Sequence, residues 1–125
     1  MLKIFLVIIG GGLGAATRYL VTLGSVRLFG ASFPWGTLIV NLSGCFLIGA
    51  VFAFSEKSLL LSPNERLLIM TGFLGGLTTF SSFGLESINS LSDGAVSVAA
   101  INILANNVGG LLMVIAGMFI TKIIH

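Results

Sequence analysis

The sequence predicts an all-α membrane protein: a single domain, residues 1–125, of four transmembrane helices with the third helix interrupted near Gly75–Thr79. Three observations carry this. The chain is 56% hydrophobic and 8% charged, too few charges to coat a soluble domain of this size, so its surface must meet lipid. Four stretches, Ile4 to Phe29, Gly36 to Phe54, Leu67 to Leu91 and Ala95 to Thr121, each supply roughly the 20 apolar residues that a bilayer crossing needs. The third contains "GGLTTFSSFG", Gly75 to Gly84. There Gly and β-branched Thr weaken helix propensity, and freed backbone groups need partners that hydrocarbon does not offer; the alternative to an interruption is a plain Gly-rich crossing helix. The four stretches use nearly the whole sequence, so no extramembrane domain is expected. The connections around Ala31 to Pro34, Ser55 to Glu65 and Ser92 to Gly94 are short.

In the first span, Lys3 precedes an apolar run as it would in a signal peptide, but the run is too long and lacks a small-residue cleavage site. It is expected to be retained. Within "GGGLGAATRY", Gly10 and Gly14 are four apart, as are Gly12 and Ala16, which lets another backbone approach closely. Arg18 follows. A helix of this length rises about 39 Å against a hydrocarbon core of about 30 Å, so Arg18 either snorkels to the interface or lines a watery mouth.

The second span opens "PWGTLIVNLSG". Pro34 suits a helix start and Trp35 an interfacial belt. Thr37 and Asn41 share a face, with Gly44 close to it one turn on. The Asn41 carboxamide needs a partner this deep in the span: an interhelical hydrogen bond, or a place as a donor on a polar path.

The third span carries Phe80 and Phe83, three apart and on one face of a helix, followed by Glu86. Spacing alone reads the rings as core packing. The positive edge of an aromatic ring gives the other reading, a lining that attracts an anion without a fixed cation. The fourth span contains "NILANNVGG". Asn102 and Asn106 are four apart with Asn107 beside them, either pairing with one another to hold helices together or joining Asn41 as uncharged donors for a small ion.

Charge and motif content exclude several classes. Lys3, Lys57, Arg66 and Lys122 fall on the side of the termini, against Arg27 and Arg18 opposite, so orientation is only weakly biased towards cytoplasmic termini. Cys45 is the only cysteine and forms no intrachain disulfide. No stripe of Lys and Arg with interleaved aromatics points to nucleic acid. No HExxH, GxSxG or paired carboxylates occur, which makes transport rather than catalysis the expectation.

Together these segments resemble the Fluc, or CrcB-type, fluoride ion channel family along the whole chain: "GGLGAATRY" from Gly11 to Tyr19, "GTLIVNLSG" from Gly36 to Gly44, "GFLGGLTTFSSFGLE" from Gly72 to Glu86, and the Asn-rich fourth span. Ser82 stands where the family often has Thr, and the hydroxyl is kept. The resemblance implies a passive fluoride-selective channel of the bacterial inner membrane, multi-pass, that exports cytoplasmic fluoride. It also implies an antiparallel dual-topology homodimer with two pores and a structural sodium ion between the subunits. By motif position, Asn41, Phe80 and Phe83 would lie on the fluoride path with the hydroxyls of Ser81 and Thr37 nearby. Arg18, Glu86, Asn102 and Asn106 would serve the vestibule or the framework, and the carbonyls of Gly75 and Thr78 would hold sodium. The rival by architecture is a small multidrug exporter exchanging cations for protons. That chemistry needs a membrane-embedded carboxylate, typically in the first span, where this chain has Arg18 and no acid. A non-transporting assembly subunit, with the amides as helix glue, is the third reading.

Overall fold

The computed structural model describes residues 1–57 and 61–124. Four helical segments are long and apolar enough to cross a bilayer: Leu2–Phe29, Trp35–Glu56, Pro63–Ser92 and Val96–Ile124. No strand occurs among the described residues. The first two segments are the continuous helices α1 (Leu2–Phe29) and α2 (Trp35–Lys57). The third is built from α3 (Pro63–Arg66), a π-helical stretch (Leu67–Leu74), α4 (Gly75–Leu77) and α5 (Phe80–Ser92). The fourth is α6 (Val96–Leu104), a π-helical turn (Ala105–Gly109) and α7 (Gly110–Ile124). Of the expected Ser55 to Glu65 connection, residues 58–60 lie outside the described residues, as does His125.

Local chemistry sets several boundaries. Ser62 and Glu65 form a reciprocal capping box at the start of α3, satisfying two donors that a helix start leaves unpaired. Gly30, at φ 79, ends α1 with its N–H donating to Val26 C=O, a left-handed conformation that glycine adopts without steric cost.

Packing follows the small residues. A Cβ built on Gly10 would come within 2.9 Å of Gly72 Cα, and one on Gly14 within 2.8 Å of Leu77 N, so α1 lies backbone-to-backbone on the third segment as the Gly10/Gly14 spacing predicts. Gly12 meets no neighbour, and the second small pair is not part of this contact. On the other side α2 meets α7 through Gly49, which faces Val114, and Gly117, which faces Phe46. Val40, Leu74 and Leu77 form the buried core between these pairs, whereas large apolar side chains such as Ile8, Leu20, Leu111 and Ile115 face outward, as a lipid-facing surface requires.

The interruption of the third segment is narrower than Gly75–Thr79. Gly75–Leu77 keep a helical turn, with Thr78 N–H donating to Leu74 C=O at 3.1 Å. The chain breaks at Thr78 (φ −78, ψ 155) and Thr79 (φ −152, ψ 125). β-Branched side chains favour extended backbone. Thr79 also gains a role there as N-cap of α5, its Oγ1 accepting the Ser82 N–H at 3.2 Å. The break falls on the threonines because the helix restarts there.

Candidate functional site

The break leaves backbone groups without helical partners, and two side chains from other helices take them up. Asn41 on α2 grips Thr79 at two points: its Oδ1 accepts the Thr79 N–H at 2.8 Å and its Nδ2 donates to Thr79 C=O at 3.0 Å. Its second N–H donates to Asn106 Oδ1 at 2.8 Å. Arg18 on α1 donates from Nη1 to Thr78 C=O at 3.1 Å. Arg18 therefore reaches into the bundle to the break. Because Thr79 N–H turns to Asn41, the Gly75 carbonyl loses the partner that an unbroken helix would give it. Gly75 is exposed on the surface of the protomer.

The asparagines of the fourth segment continue the network. Asn106 Nδ2 donates to both the backbone C=O and Oδ1 of Asn102, at 2.9 and 2.8 Å. Fully buried Asn102 donates to Ser87 Oγ at 3.0 Å, and Ser87 donates to Phe83 C=O at 2.8 Å. One chain of hydrogen bonds thus runs from the break, through α2 and the π-helical turn, to the middle of α5.

Cavities flank the break on two sides. A cavity of about 500 Å³ is lined by Asn41, Gly75, Thr78, Thr79, Phe80, Phe83 and Asn106, among others. Among the described residues no Lys, Arg, Asp or Glu lines it, so the donors there are amide, hydroxyl, thiol and ring-edge groups. The two rings lie with centroids 5.3 Å apart, tilted at 59°. Phe83 is buried at 6% exposure while Phe80 projects from the protomer at 77%. On the other side, a cavity of about 250 Å³ holds Arg18, Thr22, Thr37, Ser82 and Glu86. It shares Thr22, Thr37 and Glu86 with a space of about 270 Å³ that reaches the Gly30–Trp35 turn. Thr37 donates to Glu86 Oε1 at 2.7 Å, and buried Glu86 Oε2 has no hydrogen-bond partner among the described residues.

The structure therefore divides the residues singled out from sequence. It brings Asn41, Phe80, Phe83, Gly75, Thr78 and Asn106 to one cavity, and Arg18, Thr37 and Glu86 to the other. Asn102 braces the first from within the protein. Ser81 lines neither; its hydroxyl lies 3.3 Å from Thr79 Oγ1 beside the N-cap. Ser87 completes the network without having been singled out, and Thr79, expected only as the end of the interruption, is where Asn41 meets it. A serine on an apolar helix gives no signal of which asparagine will meet it.

Comparison with known proteins finds relatives of this chain by sequence. Residues 5–118 match the family described as CrcB-like protein, Camphor Resistance (CrcB). The chain is 42% identical over 124 residues to the fluoride-specific ion channel FluC of Clostridium perfringens, covering 99% of this chain and 97% of the relative. It is 46% identical over 118 residues to the fluoride-specific ion channel FluC of Agrobacterium fabrum, covering 94% of each. With that of Chlorobium phaeobacteroides it shares 46% over 114 residues, 91% of this chain and 88% of the relative.

Proposed function

The chain belongs to the CrcB-like family, and on that premise we propose that it is a fluoride-selective passive ion channel, a multi-pass membrane protein that lets fluoride leave the cytoplasm. The observation that carries the reading is the uncharged cavity beside the break, where an Asn41 amide and the Phe80 and Phe83 rings meet without a fixed cation. Fluoride is small and strongly hydrated. A pore for it must replace lost water with close donors, and amide N–H, hydroxyl and ring edges supply these. A lysine in their place would hold the ion too tightly, since conduction needs sites weak enough to leave. Arg18, Thr37 and Glu86 form the approach on the other side of the break.

The channel acts as an antiparallel homodimer. Support comes from the protomer surface: Gly75 is exposed and its carbonyl has lost its helical donor, a group that hydrocarbon would leave unsatisfied. A second copy in the opposite orientation covers it. A structural sodium ion fits the same surface. Gly75 C=O has lost its helical donor, and Thr78 C=O, having two acceptor positions, gives one to Arg18 and keeps the other. Freed carbonyls at helix interruptions suit such a cation. Bound there, sodium would tie the two breaks together and take no part in permeation.

A cation/proton exporter is not favoured, because α1 holds no acid and the relatives are named as fluoride channels. The test is reconstitution of the purified protein in liposomes with fluoride, chloride and proton fluxes compared. Fluoride efflux far exceeding chloride efflux, uncoupled from protons, is expected. Proton-coupled cation flux, or no ion flux at all, would sink the channel reading.

A further inference from the structure

We propose that Asn106 acts as an internal competitor for fluoride: its Oδ1 occupies the Asn41 N–H that the ion must use, and reclaims it as the ion leaves. The proposal rests on the reading of Asn41 as part of the fluoride path. Asn41 has two amide N–H groups and both are already spent, one on Thr79 C=O at 3.0 Å and one on Asn106 Oδ1 at 2.8 Å. The two are not equally free to exchange. The first belongs to a two-point clamp, since Asn41 Oδ1 also holds the Thr79 N–H, and losing it would reopen the helix break. The second is a single contact between side chains that both line the cavity. An arriving anion therefore takes the N–H from Asn106.

Anchoring makes the exchange reversible. Asn106 is tied to Asn102 by two bonds, and Asn102 through Ser87 to the backbone of Phe83. When fluoride takes the N–H, the Asn106 oxygen stays close to the donor it has lost. A bond to an ion is roughly twice as strong as one between neutral groups, so fluoride wins the N–H. The amide oxygen lowers the net gain, and an ion held less tightly departs faster.

The experiment replaces Asn106 by Ser. A hydroxyl there can back-bond to the Asn102 carbonyl one turn earlier, as Ser87 does to Phe83 C=O, so the framework keeps a donor while the acceptor facing Asn41 is removed. In liposomes, the half-saturating fluoride concentration of Asn106→Ser should fall about tenfold, equivalent to about 1.4 kcal/mol, and maximal flux should fall with it. Asn106→Thr provides the same hydroxyl should the Ser variant fold poorly, and calorimetric titration of fluoride onto detergent-solubilised protein reads affinity independently of flux. A half-saturating concentration that is unchanged or raised overturns the proposal, whatever happens to the maximum, because loss of helix glue alone would lower flux without tightening binding. A parent protein that passes no fluoride overturns the channel reading and this inference with it.

Discussion

Asn41 meets a backbone need from a position in the cavity proposed as the ion path. Its amide stands in for the helical partners of Thr79, so Asn41→Leu strips Thr79 of both and leaves Asn106 Oδ1 unfilled. Each buried group left unpaired costs about 1–3 kcal/mol. The variant should lose thermal stability in detergent along with flux; an unchanged melting temperature would contradict the clamp. Phe80 differs, because it is exposed in the protomer and supports no core. Phe80→Ile should keep the fold and cut fluoride flux by more than tenfold, roughly the loss expected when donors worth over 1.4 kcal/mol are removed. A folded Phe80→Ile protein conducting like the parent would show that ring edges are not used. The sequence made plain that Asn41, deep in an apolar span, needed a partner, but not which one. Its partner is a backbone position that becomes available only because another segment breaks.

At the scale of elements, helix existence and close packing were legible and the fine backbone was not. Spacing of Gly10 and Gly14 announced a tight crossing, and the structure seats both against the third segment. Hydropathy gave four spans because lipid imposes length and apolarity directly. It carried no signal of the π-helical stretches at Leu67–Leu74 and Ala105–Gly109, since periodicity over a short window separates 3.6 from 4.4 residues per turn poorly. Nor did composition locate the break within Gly75–Thr79. Glycine tolerates a helical turn, and the N-cap chemistry of Thr79 decided the place. The packing yields its own prediction. Gly117 faces Phe46 and Ala50 so closely that an added Cβ would meet backbone, 2.9 Å from Ala50 N. Gly117→Val must push α7 from α2, at a cost of about 1–3 kcal/mol or more, whereas Gly24→Ala, where nothing lies within 4 Å, should be neutral. Thermal denaturation of the two variants in detergent separates them; equal stability would show that this crossing is not tight.

At the scale of the whole molecule, orientation in the bilayer is the property the chain specifies least. Short connections leave no large domain to fix topology, and Lys and Arg decide orientation by their distribution across the two sides. Here that distribution sets Lys3, Lys57, Arg66 and Lys122 against Arg18 and Arg27. Arg18 is drawn into the bundle by Thr78 C=O, which leaves it a poor topological anchor. That leaves Arg27 alone against four, so the proposed antiparallel arrangement has to overcome a charge excess carried by short connections, and in it the exposed Phe80 and Gly75 faces would meet across a two-fold axis in the membrane plane, where an isologous contact buries the same patch on each copy. Dual topology is the part of the proposal that rests on this face and is opposed by the charge count. It is tested with one cysteine at Ser32, exposed in the turn between α1 and α2, in a background where Cys45 is Ser. In sealed vesicles, a membrane-impermeant thiol reagent should label about half of the protein, and the remainder only after permeabilisation. Labelling that is complete, or absent, before permeabilisation would mean one orientation, and would exclude the antiparallel dimer. Adding several lysines beside Ser32 should then bias the population to one orientation and reduce fluoride flux in proportion to the dimers lost.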